Sequence, residues 1–96
     1  MVSISYEDSS RRVRIEGACR GEDGAAVAEA LRSLPCRGGT LKVDLSATTE
    51  LDTEVAAAIV AQQREAERRG LRVNVLRRCG SEVDRVLAAA ESSLRR

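Results

Sequence analysis

The sequence predicts a small α/β domain with a mixed β-sheet and helices mainly on one face, and three observations predict it. Two alternating apolar segments, Leu41-Val43-Leu45 and Leu71-Val73-Val75, flank a stretch whose apolar residues recur at helical spacing. Strand, helix and strand in that order need a right-handed crossover and parallel pairing. The chain also opens on two short alternating segments separated by a polar turn, which is the pattern of an antiparallel hairpin. Finally, 96 residues with 43% hydrophobic and 32% charged side chains suffice for one core, so a single domain over residues 1–96 is expected.

The hairpin is carried by Ile4 and Tyr6, then by Val13 and Ile15 alternating with Arg14 and Glu16, with Ser9-Ser10-Arg11-Arg12 between them and Gly17 expected to end it. Gly21-Glu22-Asp23-Gly24 follows, and Asp23 is positioned to cap a short helix bearing Val27, Ala30, Leu31 and Leu34 until Pro35 stops it. A loop at Cys36-Arg37-Gly38-Gly39 leads to the strand of Leu41, Val43 and Leu45, whose Lys42 and Asp44 face the other way, as in a sheet covered on one side. That strand is read as ending at Ser46, with a short loop leading to Leu51. Asp52 or Thr53 then begins the longest helix, with a stripe of Val55, Ala56, Ile59, Val60, Gln63 and Ala66. Arg68-Arg69-Gly70 suits its C-terminus, where cations and a glycine are favoured. After the strand of Leu71, Val73 and Val75 and the turn Arg77-Arg78-Cys79-Gly80, Ser81 with Asp84 resembles a capping box. The closing helix buries Val83, Val86, Leu87, Ala90 and Leu94.

Composition narrows function. Sixteen basic against fifteen acidic residues leave a net charge of +1, so the overall field favours neither polyanions nor acidic partners. Tyr6 is the single aromatic residue, which removes the stacking platforms that nucleic-acid and flat-cofactor sites use. With no His, no phosphate-binding glycine loop and three cysteines (Cys19, Cys36, Cys79) outside any C-x-x-C spacing, neither catalysis nor a metal or other cofactor is expected. The cysteines read as small apolar residues. No apolar run approaches the roughly 20 residues that span a bilayer, and the first residues lack signal-peptide character, so a soluble cytoplasmic chain without membrane insertion is expected. Arginines at 64, 68, 69, 72, 77 and 78 could form a basic strip, but Glu65 and Glu67 interrupt it, as on an ordinary solvated face.

The segment Val43-Asp44-Leu45-Ser46, a short connection, and Leu51-Asp52-Thr53-Glu54-Val55-Ala56 joins a strand to a helix start through an Asp-Thr pair. Backbone N–H groups are unpaired at a helix N-terminus and the dipole is positive there, so a phosphate on Thr53 would be accommodated. As a plain cap, Thr53 would contribute about 1 kcal/mol. Glu54 either stabilises the dipole or adds charge beside the Thr53 hydroxyl.

Together with Arg69-Gly70 and Arg72-Val73-Asn74-Val75, this segment resembles the STAS family, the domain named for sulfate transporters and anti-sigma factor antagonists. The resemblance implies a noncatalytic protein-binding module of bacterial signalling, with Thr53 at the position that a partner kinase phosphorylates and Asp52 matching the motif's Asp. Asp52, Thr53, Glu54 and Ser46 would contact the partner. That partner would be an anti-sigma factor or a serine/threonine protein kinase of the histidine-kinase-like ATPase fold. The departure at Glu54-Val55-Ala56, where switch-type members carry a small residue, looks more like the STAS domains of stressosome scaffolds. A further relative is the STAS subunit on the ATPase of bacterial lipid transporters. The resemblance therefore implies partner switching through Thr53 or, alternatively, a constitutive subunit bound to other STAS domains or to a transporter ATPase.

Overall fold

A computed structural model describes residues 2–34 and 39–93. The loop expected at Cys36-Arg37-Gly38 and the apolar Leu94 lie outside the described residues. The elements run β1 (Ser3–Glu7), β2 (Arg12–Cys19), a 3-10 turn (Gly21–Asp23), α1 (Gly24–Arg32), β3 (Gly39–Asp44), β4 (Thr48–Leu51), α2 (Thr53–Arg68), β5 (Leu71–Leu76) and α3 (Glu82–Ser93). The sheet has the order β1-β2-β3-β5, with β4 added on β2. Among the described residues only β1 and β2 are antiparallel; β3 pairs in parallel with both β2 and β5, so the sheet is mixed as the crossover around α2 requires.

Alternation fixes which side is buried. Val13, Ile15, Leu41, Val43 and Val73 point to the helices and are buried, while Arg14, Glu16, Arg72 and Asn74 are exposed on the opposite face. Against the inner face α2 places Val55, Ala56, Ile59 and Val60, and α3 places Val83, Leu87 and Ala90, all within the same core. Gln63 stands in the α2 stripe for a different reason: its Nε2 donates to the Val73 carbonyl at 3.3 Å, at the rim of the sheet. The side chains are small, and the largest fully buried ones are Ile15, Leu45, Ile59 and Leu87.

Two expectations are corrected. Gly17 does not end β2. It adopts φ +92°, a conformation that a side chain would strain, and the register slips between Gly17 and Ala18 as β2 passes from β3 to β4. The stretch read as a short loop and the beginning of a helix holds β4, in which Thr48 and Leu51 are buried and Thr49 and Glu50 are exposed. That pattern does not alternate, so period-2 reading passes over it; the strand exists because Ala18 and Cys19 pair with Glu50 and Leu51. The buried Thr48 hydroxyl donates to the Ile15 carbonyl at 2.7 Å, satisfying both groups inside the core.

Candidate functional site

The first turn of α2 is held from three directions. Asp52 is its N-cap residue, with extended backbone angles (φ −73°, ψ 151°), and its carbonyl accepts from the Ala56 N–H at 3.0 Å. Its own N–H donates to the Cys19 carbonyl at 2.9 Å, at the end of β2. Its carboxylate does not cap the helix. Oδ2 instead accepts from the Gly21 N–H at 2.7 Å, which ties the 3-10 turn to the start of α2 across 31 residues. From below, Val55 and Ala56 are fully buried.

Thr53 is the first helical residue and is exposed, and among the described residues its hydroxyl has no hydrogen-bond partner. The hydroxyl is therefore not what caps α2. Glu54, also exposed, folds its carboxylate over Gly21, where a β-carbon would lie 2.9 Å from Oε2; glycine leaves that space to the carboxylate. Around this turn Asp23 Oδ2 accepts from the Arg20 N–H at 2.8 Å, and Arg20 pairs with Glu50 at 3.2 Å across the surface. Glu22, Asp23, Glu50, Asp52 and Glu54 thus make this end of the domain acidic, with Arg20 as the cation among them.

The four residues expected at a partner surface fall in two places. Asp52, Thr53 and Glu54 share the first turn of α2. Ser46 sits in the β3–β4 turn, where its N–H donates to Asp44 Oδ1 at 2.9 Å. There it lines a groove with Thr49, Arg78, Ser81 and Glu82 at the start of α3. Asp44 is buried at 7% exposure; burial acts to raise its carboxyl, but the bonds from Ser46 and the charges of Arg12 and Arg14 outweigh that and hold it below the usual range. Sequence reading missed the 3-10 turn as part of the site. Its signal is Asp23 three residues after Arg20: the carboxylate expected to cap α1 makes no bond to that helix and closes the 3-10 turn instead.

The remaining candidates resolve as structure. Cys19 is fully buried; that burial, with smaller effects from Asp23 and Asp52, pushes its thiol up to about 11. Cys79 departs from the expected apolar role, being exposed in the turn before α3. The capping box at α3 forms with an offset: the Asp84 N–H donates to Ser81 Oγ at 3.1 Å, while Asp84 Oδ2 accepts from the Gly80 N–H at 2.9 Å rather than from Ser81. Arg77 is withdrawn from the arginine strip, because it bonds Asp84 at 2.9 Å and Glu91 at 2.9 and 3.1 Å. Arg68 and Arg69 pair with Glu65. Among the described residues no cluster of His, Cys, Asp and Glu is arranged to hold a metal, and no helix is long and apolar enough to cross a membrane.

The family described as "Mlab, STAS domain" matches residues 2–92, nearly the whole chain. The chain belongs to the STAS domain family. A solved structure described as "Crystal Structure Analysis of Mglu" is similar to this STAS domain, with 25% identity and a TM-score of 0.60 over 76% of the chain. The STAS chain spans 18% of the length of that protein. No curated protein matches it.

Proposed function

We propose that this STAS domain is a noncatalytic protein-binding module that docks through the first turn of α2 and is released by phosphorylation of Thr53. One observation carries the reading: an exposed hydroxyl without a partner among the described residues stands on a backbone held by Asp52, Gly21 and Cys19 and by the buried Val55 and Ala56. Such a group is free to meet another protein, and its replacement leaves the helix start intact. A phosphate there brings about −1.5 to −2 charges at pH 7. The positive end of the helix dipole accommodates it, while a surface fitted to the neutral hydroxyl is repelled. Partners of the proposed kind are an anti-sigma factor or a serine/threonine kinase of the histidine-kinase-like ATPase fold.

A second reading is favoured by Glu54. A permanent carboxylate beside Thr53 makes the turn acidic before any modification, which suits a constitutive subunit of a larger assembly, such as a transporter ATPase or a STAS scaffold. Capture of the partner from the native cell, followed by titration of wild type, Thr53→Ala and Thr53→Asp, separates the two. Switching predicts that Thr53→Asp weakens binding at least about tenfold, near 1.4 kcal/mol, that Thr53→Ala binds like wild type, and that the captured kinase with ATP adds one phosphoryl mass to wild type alone. Equal affinities and no added mass would refute switching and leave the constitutive reading.

A further inference from the structure

Among the described residues, most of the hydrogen-bonding groups on the outer edge of β5 are unused. Among the described residues β5 pairs with β3 alone. The Leu76 carbonyl faces β3, since it accepts from the Leu45 N–H at 2.8 Å. A residue's N–H and C=O point to the same side of a strand and successive residues alternate, so the backbone groups of Arg72 and Asn74 also bond β3, while those of Val73 and Val75 point to the outer edge. Gln63 agrees with that parity, because its Nε2 reaches the outward Val73 carbonyl. That leaves the Val73 N–H and both backbone groups of Val75 without partners among the described residues. A carbonyl with two lone pairs can accept a second bond, so Val73 itself remains available.

Sheet edges are usually guarded by charge, proline or a bulge. Here the edge has Arg72 at its beginning, Asn74 at its centre and Leu76 at its end. Leu76, at 38% exposure, is the one large hydrophobic side chain exposed among the described residues. β1, the other end of the strand order, shows Ser3, Ser5 and Glu7 outward instead.

We infer that β5 is a dimerisation edge and that its occupant is β5 of a second copy of this chain, antiparallel about a two-fold axis through Asn74. The edge is self-complementary in that register. Val73 of one copy exchanges both hydrogen bonds with Val75 of the other, Asn74 meets its own counterpart, and the aliphatic stem of Arg72 lies over the second copy's Leu76. Sliding two residues one way puts Leu76 opposite Gly70, beyond the strand; sliding two the other way sets Arg72 against Arg78, like charge on like. The product is one sheet continuous through both copies. This edge lies on the far side of β3 from β2 and β4, so it is separate from the turn proposed to meet a partner protein.

The exposed Asn74 allows a test that leaves the core untouched. Sedimentation equilibrium of the full chain should show a dimer. Asn74→Lys and Asn74→Asp, each placing like charges across the axis, should each raise the dissociation constant about fivefold or more with an unchanged circular dichroism spectrum. Mixing the two variants should give a heterodimer, seen by native mass spectrometry, at least about fivefold tighter than either variant alone. A wild-type chain that stays monomeric at its highest soluble concentration would overturn the proposal, as would an edge covered by another protein or another segment. Single variants that dimerise like wild type, or a mixture no tighter than its components, would place any dimer contact elsewhere.

Discussion

Asp52 is expected to stabilise the domain through the 3-10 turn and not through the helix it precedes. Its carboxylate accepts from the Gly21 N–H at 2.7 Å, a charge-assisted bond of about 1.5–3 kcal/mol when sheltered. Asp52 is exposed, so water replaces much of what is lost on truncation and about 1–1.5 kcal/mol is the reasonable share. A negative charge at the positive end of α2 adds about 0.3–1 kcal/mol. Asp52→Ala should therefore cost about 1.5–2.5 kcal/mol, and Asp52→Asn, which keeps an acceptor and loses the charge, about 0.5–1 kcal/mol. Urea unfolding supplies both values. Amide hydrogen exchange supplies the location: the Gly21 N–H should lose protection in Asp52→Ala, whereas Ala56, whose N–H bonds the Asp52 backbone carbonyl, should keep it. If Ala and Asn cost the same, or if Gly21 exchanges at the wild-type rate in Asp52→Ala, the bond between the turn and the helix start contributes nothing and the reasoning fails.

Ile59, fully buried between α2 and the sheet, should cost about 2–5 kcal/mol on truncation to Ala, while Lys42→Ala on the outer face should cost under about 0.5 kcal/mol; comparable small losses in chemical denaturation would mean that the helix face is misassigned. Cys19 keeps its proton in the fold up to about 11, whereas the unfolded chain releases it near the ordinary 9.0. The unfolded state thus ionises first, so this contribution is complete below about pH 9 and fades by about 2–3 kcal/mol as pH rises through 11. Urea unfolding over that range should show a shallower decline for Cys19→Ala than for wild type, and parallel declines would argue against it.

Much of the fold was legible because it is encoded by near neighbours. Val13 and Ile15, Leu41 and Val43, and Val73 and Val75 alternate within their own segments, and Val55, Ala56, Ile59 and Val60 lie on one side of a helix whatever surrounds it. Gln63 lies on that same side, while its bond at the sheet rim depends on where β5 packs. β4 is not legible because Thr48 and Leu51 become strand residues only when β2 bends at Gly17 to meet them. Of the candidate site, the helix start at Asp52-Thr53-Glu54 is legible in the sequence; the separation of Ser46 from it, and the use of Asp52 as a tie to Gly21, are not.

The sequence by itself determined the α/β class, the parallel crossover around α2 and the placing of Thr53 at a helix start, because periodicity and end signals act within a few residues. Only the tertiary structure decided which partner each polar group takes. Asp52 reaches Gly21 across 31 residues, the Thr48 hydroxyl reaches the Ile15 carbonyl across 33, and Arg77 leaves the arginine strip for Glu91 across 14. The physical reason is that a donor or acceptor takes whatever group folding brings within its reach, and that neighbour is set by the packing of the whole chain.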